Sequence, residues 1–147
     1  MAENTDSLPR QLQDIVEDFK WAEGREKLEL LLDFSDRMPL LPDWLAEQRD
    51  GMEQVHECMT PVFIHAEAND GRMIFYFDVP PESPTVRGFA SLMAEGLSGT
   101  TPQEILAIPG DFYREMGLPD VLSYQRLNGI SAILSYMKRL ALREIGA

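Results

Sequence analysis

Cys58 is the single cysteine of a 147-residue chain. It lies in the run Val55-His56-Glu57-Cys58-Met59-Thr60-Pro61-Val62-Phe63. Of all the side chains here, a thiol has the strongest covalent reactivity: the thiolate is the nucleophile, and its pKa and its access to solvent set its rate. The competing reading is a small buried hydrophobe, since free cysteines are among the most buried residues. His56 and His65 are the only histidines. His56 stands two residues from Cys58, and in an extended chain residues i and i+2 share a face. A Cys–His pair of that kind could run thiol hydrolysis with histidine as the base. No third, orienting group is evident, and the spacing matches no protease signature. A metal site built from His56, Cys58 and His65 is open by residue type but lacks a known ligand spacing. The plainer reading of both histidines is surface positions.

Three other segments stand out. Thr85-Val86-Arg87-Gly88-Phe89 follows a proline-rich turn and starts a helix. Ser123-Tyr124-Gln125-Arg126-Leu127-Asn128-Gly129 opens the last helix, with Ser123 as its cap and Arg126 and Asn128 on its solvated face. A glycine inside a helix costs about 1 kcal/mol relative to alanine, so Gly129 points to close packing or function. Glu47, Asp50, Glu53 and Glu57 form an acidic run before the cysteine, read as a solvated face.

These residues must be positioned by a recognisable set of elements. Residues 1–7 read as a frayed terminus. Leu12, Ile15, Val16 and Phe19 recur with helical period, and Pro9 suits a first turn. Gly24 marks a break, and a second helix runs from Arg25 to Arg37 with Leu28, Leu31, Leu32 and Ser35 on one face. Pro39 and Pro42 end it. Residues 38–54 read as a connection carrying one short helical turn at Asp43–Gln48. The period then changes to two. Val62, Ile64 and Ala66 alternate with Phe63, His65 and Glu67, and the run Met73–Phe77 follows Asn69-Asp70-Gly71. Two β-rich runs around Asp-Gly predict a hairpin. A helix is expected over Thr85–Glu95. Thr101-Pro102-Gln103-Glu104 reads as a capping box, and Asp111–Met116 as a further short helix. The last helix has its seam at Leu127, Ile130, Leu134, Met137 and Ala141, widened by Ile133 and Leu140, with Arg139 and Arg143 favoured near its C-terminus. The pattern is one α+β domain over residues 1–147, an antiparallel β-sheet with helices packed on it.

Composition narrows the function. The chain carries 25 acidic and 13 basic residues, a formal net charge of −12. Nucleic-acid phosphates and anionic membranes are held by Lys/Arg patches, so neither is an expected partner. No apolar run approaches the roughly 20 residues that span a bilayer. The polar, acidic N-terminus does not read as a secretory signal, so a cytoplasmic location with a reduced thiol is expected. A lone cysteine excludes an intramolecular disulfide and a self-contained Cys-rich metal or iron–sulfur site.

In five places, in order, the chain resembles the SufE family of cysteine desulfuration proteins. Val55–Phe63 is similar to that family's cysteine motif. Met38-Pro39-Leu40-Leu41-Pro42, Val86-Arg87-Gly88-Phe89, Thr101-Pro102-Gln103-Glu104-Ile105 and Leu122–Ile130 match its other elements. The resemblance covers roughly residues 8–144. It implies a SufE/NifU-like fold and a protein that needs no cofactor of its own. It also implies that Cys58 takes sulfur from the persulfide of a PLP-dependent, SufS-like cysteine desulfurase and passes it to an iron–sulfur scaffold protein. A buried resting cysteine would shield the persulfide, and its loop would swing out on docking. Arg126 is then expected to contact the desulfurase or to stabilise thiolate charge, and Asn128, Glu82 and Arg87 are further expected partner contacts. Glu57, Thr60 and Phe63 stand where the family has glycine, serine and tryptophan. A carboxylate beside a thiol disfavours the thiolate. That departure motivates the alternative of a non-catalytic binding or regulatory module.

Overall fold

The computed structural model describes residues 8–146. The expected frayed segment 1–7 lies outside the described residues. Helix α1 (Arg10–Trp21) buries Leu12, Ile15, Val16 and Phe19, the expected stripe, with Pro9 as the residue that caps it. Helix α2 (Gly24–Asp36) starts at the glycine itself. A reciprocal capping box between Glu23 and Glu26 sets that start, with the Glu23 N–H donating to Glu26 Oε1 at 2.8 Å.

The buried face of α2 differs from the expected one. It consists of Lys27, Leu31, Phe34 and Ser35, while Leu32 is exposed and Leu28 only partly buried. Two contacts explain the rotation. The Phe34 ring stacks on Phe19 at 6.2 Å. Lys27 Nζ donates to two carbonyls at the end of α1, Phe19 O at 2.7 Å and Ala22 O at 2.5 Å. A buried lysine is tolerated because its amine is hydrogen-bonded to both of these carbonyls.

A short helix α3 (Asp43–Ala46) and a 3-10 turn (Arg49–Gly51) lead into the sheet. Strands β1 (Glu53–Gln54), β2 (Phe63–Asn69) and β3 (Arg72–Asp78) pair antiparallel in that order. The β2–β3 hairpin turns at Asp70 and Gly71, both with positive φ, as the Asp-Gly signal predicts. Ile64 faces Phe77 and Ala66 faces Phe75 across the pair. Ile64, Met73, Phe75 and Phe77 are buried, which is the core side. On the opposite side His65 and Tyr76 are partly covered by the edge of Trp44 from α3. Strand β1 lies in what the sequence presents as connection. Two polar residues are too short to show alternation.

Helix α4 (Pro84–Leu97) is the centre of the molecule. Val86, Phe89, Ala90, Leu92, Met93 and Leu97 are all buried, because α4 packs on α2, α1, β3 and the last helix. The capping box at Thr101 forms and opens α5 (Pro102–Leu106). The expected short helix Asp111–Met116 is a single 3-10 turn, Phe112–Arg114, which Gly117 in the left-handed region separates from a further one, Leu118–Asp120. The last helix, α6 (Tyr124–Gly146), buries Ile130, Ile133, Leu134, Met137, Leu140 and Ala141 as expected; Tyr136 joins them and Leu127 stays partly buried. The fold is α+β. Among the described residues, no helix is long and apolar enough to cross a membrane.

Candidate functional site

The unexpected strand β1 is what places Cys58. Glu53 pairs with Ile64 and Gln54 with Phe63, and the Val55 N–H donates to Val62 O at 2.9 Å. Residues 56–61 are therefore the tip of a β1–β2 hairpin. Val55 and Val62 are fully buried at its base. Between them the Cys58 N–H turns back to Val55 O at 3.3 Å. This turn sends the sulfur inward, leaving Cys58 only 8% exposed, while the neighbouring Met59 is 79% exposed.

The sulfur looks into a cavity of about 170 Å³. Its walls come from the hairpin tip (Cys58, Met59, Thr60), from the start of α4 (Glu82 to Val86) and from the start of α6 (Gln125, Arg126, Gly129). Two helix N-termini thus border one thiol, and a helix N-terminus favours negative charge. Polar contacts fasten the tip to both helices. Thr60 Oγ1 donates to Ser83 Oγ at 3.2 Å, and Gln125 Nε2 donates to Met59 Sδ. Ser123 caps α6 as expected, its hydroxyl accepting from the Arg126 N–H at 3.3 Å.

Burial pushes the Cys58 thiol pKa up, and a backbone hydrogen bond from Thr60 works in the opposite direction. Glu57, expected to disfavour the thiolate from beside it, also has a cationic neighbour. Glu57 is exposed, and its Oε2 lies 3.9 Å from Arg139 Nη2. The solvated acidic run is corrected at Glu53. Its carboxylate is half-buried, accepting from Tyr136 Oη and from Arg143 Nη1, each at 2.6 Å. The Arg143 hydrogen bond holds the Glu53 carboxyl below its usual range, with burial opposing. These bonds tie β1 to α6. Tyr136 and Arg143 stand two turns apart on one helix, so their shared face was readable; their meeting with Glu53 depends on the unexpected strand.

Of the expected site residues, Cys58, Arg126 and Glu82 come together around the cavity. Asn128 is exposed on α6 and does not line it. Arg87 does not line it either. Its Nε donates to Ser35 O at 3.0 Å and its Nη1 to Val79 O at 2.5 Å, joining the end of α2 to the end of β3. Gly88 beside it packs α4 on α2 so closely that a Cβ would fall 2.1 Å from Leu31 O. The Val86–Phe89 motif thus fixes where α4 starts. His56 is exposed and does not line the cavity. His65 sits on the outer sheet face, 2.8 Å from Glu67. Among the described residues, no group of three or more His, Cys, Asp or Glu side chains could hold a metal ion. Ser83 has no signal in the sequence, and Thr60 and Gln125 stand there only as motif positions with no contact assigned, since hydroxyl and amide side chains in turns carry no spacing signal.

Comparison with known proteins gives one answer. Residues 13–141 match the family model "SufE: Fe-S metabolism associated domain". An uncharacterized SufE-like protein of Mycobacterium tuberculosis is 48% identical over 139 residues, 94% of this chain and 95% of that protein. A protein of Plasmodium vivax named cysteine desulfuration protein SufE is 28% identical over 83 residues, 55% of this chain and 34% of its own. The solution structure of a hypothetical protein from Thermus thermophilus superposes with a TM-score of 0.83 at 34% identity, covering 95% of this chain and 99% of the other. The ordered motifs, the α+β fold around a hairpin-borne cysteine and these matches agree: the chain belongs to the SufE family and has a role in iron–sulfur metabolism.

Proposed function

We propose that Cys58 accepts sulfur from the persulfide of a PLP-dependent cysteine desulfurase and passes it to an iron–sulfur scaffold protein. The Cys58 thiolate attacks the outer sulfur of the desulfurase persulfide. A new S–S bond forms on Cys58 as the desulfurase S–S bond breaks, and the desulfurase sulfur leaves as a thiolate that takes up a proton. One thiol and one persulfide become one persulfide and one thiol, with no net oxidation, as in thiol–disulfide exchange. A reducing cytoplasm suits this chemistry, because it keeps the lone thiol free.

One observation carries this reading. The single cysteine is held, sulfur inward, at a hairpin tip against a cavity bordered by two helix N-termini and Arg126. Such a setting shields the sulfur from solvent and keeps the resting thiol protonated, while the helix N-termini and Arg126 beside it supply positive potential for an anionic sulfur once the tip is drawn outward. Docking must then draw the tip outward. The tip is attached to its neighbours by contacts such as Thr60–Ser83 and Gln125–Met59, which a partner surface can replace. Arg126 and Glu82 at the cavity, with exposed Asn128 on α6, form the contact face for the desulfurase.

The test is alanine release by a PLP-dependent cysteine desulfurase with and without this protein. Wild type is expected to raise the rate several-fold, and Cys58→Ser to remove the stimulation. If Cys58→Ser stimulates as well as wild type, the protein is a docking or regulatory module and not a sulfur carrier.

A further inference from the structure

Gly129 lies in the second turn of α6 and is buried. A glycine there costs helix stability of about 1 kcal/mol against alanine, and its φ is not in the left-handed region. Backbone conformation therefore does not require it. Contact does. A Cβ built on Gly129 would stand 3.1 Å from Cys58 Sγ and, outside its own helix, meet no other atom within 4 Å. That separation is well inside an ordinary carbon–sulfur contact, and the sulfur is the neighbour that would have to move. The wall opposite is the hairpin tip itself, held by side-chain hydrogen bonds rather than by a strand ladder.

We infer that Gly129 is a positioning residue for Cys58: its missing side chain is the seat that lets the sulfur sit inward, and this seat sets how unreactive the resting thiol is. This inference rests on the sulfur-acceptor reading for its purpose but not for its geometry. Helix α6 is 23 residues long and anchored by core side chains along its length, whereas the tip spans only residues 56–61 between β1 and β2. A methyl group at 129 therefore displaces the tip and not the helix. The sulfur then moves toward solvent, the burial that raises its pKa falls, and more thiolate is present at a given pH. Gly129 is thus a restraint on premature chemistry, released when docking pulls the tip away.

The test is the rate of Cys58 alkylation by iodoacetamide as a function of pH, in wild type, Gly129→Ala and Gly129→Ser, with melting temperature followed in parallel. The proposal expects both variants to fold, with Gly129→Ala melting no lower than wild type because helix propensity improves. It expects alkylation near neutral pH to rise several-fold as the burial that holds the thiol pKa up is relieved, with the pH profile moving to lower pH. Folded variants with wild-type alkylation profiles overturn it. So does loss of folding, since the helix and not the tip would then have yielded. No desulfurase is needed for alkylation, so failure here leaves the sulfur-acceptor reading to its own assay.

Discussion

Burial acts unequally on the two protonation states of Cys58. It disfavours the thiolate, and the Thr60 N–H offsets only part of that effect. A nucleophile held this way is quiet until its surroundings change. Arg126 is the cationic side chain lining the cavity, and its planar fork suits a thiolate or persulfide anion better than a lysine's point charge does. Arg126→Ala is therefore expected to slow single-turnover sulfur loading from a desulfurase by up to about tenfold, a modest value because an exposed charge is screened by water. Arg126→Lys should recover part of the rate. An unchanged loading rate in both variants would remove Arg126 from the site. At this scale the sequence was informative where a residue type has few roles. The lone cysteine and the helix-interior glycine were both visible. It was silent where a charge had to be assigned a direction: that the Glu57 carboxylate comes within 3.9 Å of Arg139 depends on the hairpin turn and on where α6 lies.

At the scale of elements, the two-residue strand β1 governs the site. It turns the segment before Cys58 from connection into one arm of a hairpin, and Glu53 fastens that arm to Tyr136 and Arg143 of α6. Glu53→Gln breaks the ionic part of this link. The Glu53 side chain is 37% exposed and that of Arg143 55% exposed, so screening limits the contribution to about 1 kcal/mol. For a chain of this size that corresponds to about 2–4 °C in melting temperature at neutral pH. The sign with pH follows from the lowered carboxyl pKa. The stabilisation is fully present above the ordinary carboxyl value of 4.5 and is lost as pH falls through the lower folded-state value. Melting curves should thus show a gap between wild type and Glu53→Gln at pH 7 that closes in strong acid. A gap that widens on acidification would contradict the assignment. The long helices and the Asp-Gly hairpin were legible from period and turn chemistry. Strand β1 was not, because two polar residues have no period, and the buried face of α2 was misread because Lys27 buries itself to hydrogen-bond the end of α1.

Over the whole molecule, α4 is the common wall. It packs on α1, α2, α6 and β3, and its first turn borders the Cys58 cavity. Phe89 is 1% exposed and lies against Phe112, ring centroids 6.1 Å apart. Phe89→Ala is expected to cost about 3–5 kcal/mol, seen as a lower urea midpoint in equilibrium unfolding with an unchanged slope. A loss under about 1 kcal/mol would mean the core is not organised around α4. The net charge of −12 belongs to this scale also. It sets a repulsive potential toward other anionic surfaces.

The central claim is that Cys58 carries sulfur. The direct measurement is intact-protein mass spectrometry after incubation with cysteine and a PLP-dependent cysteine desulfurase, without reductant, followed by peptide mapping. The account predicts a gain of one sulfur atom, about 32 Da by the mass of sulfur, located on Cys58, removed by dithiothreitol and absent from Cys58→Ser. A chain that stimulates the desulfurase yet never gains that mass, or gains it elsewhere than on Cys58, would contradict it.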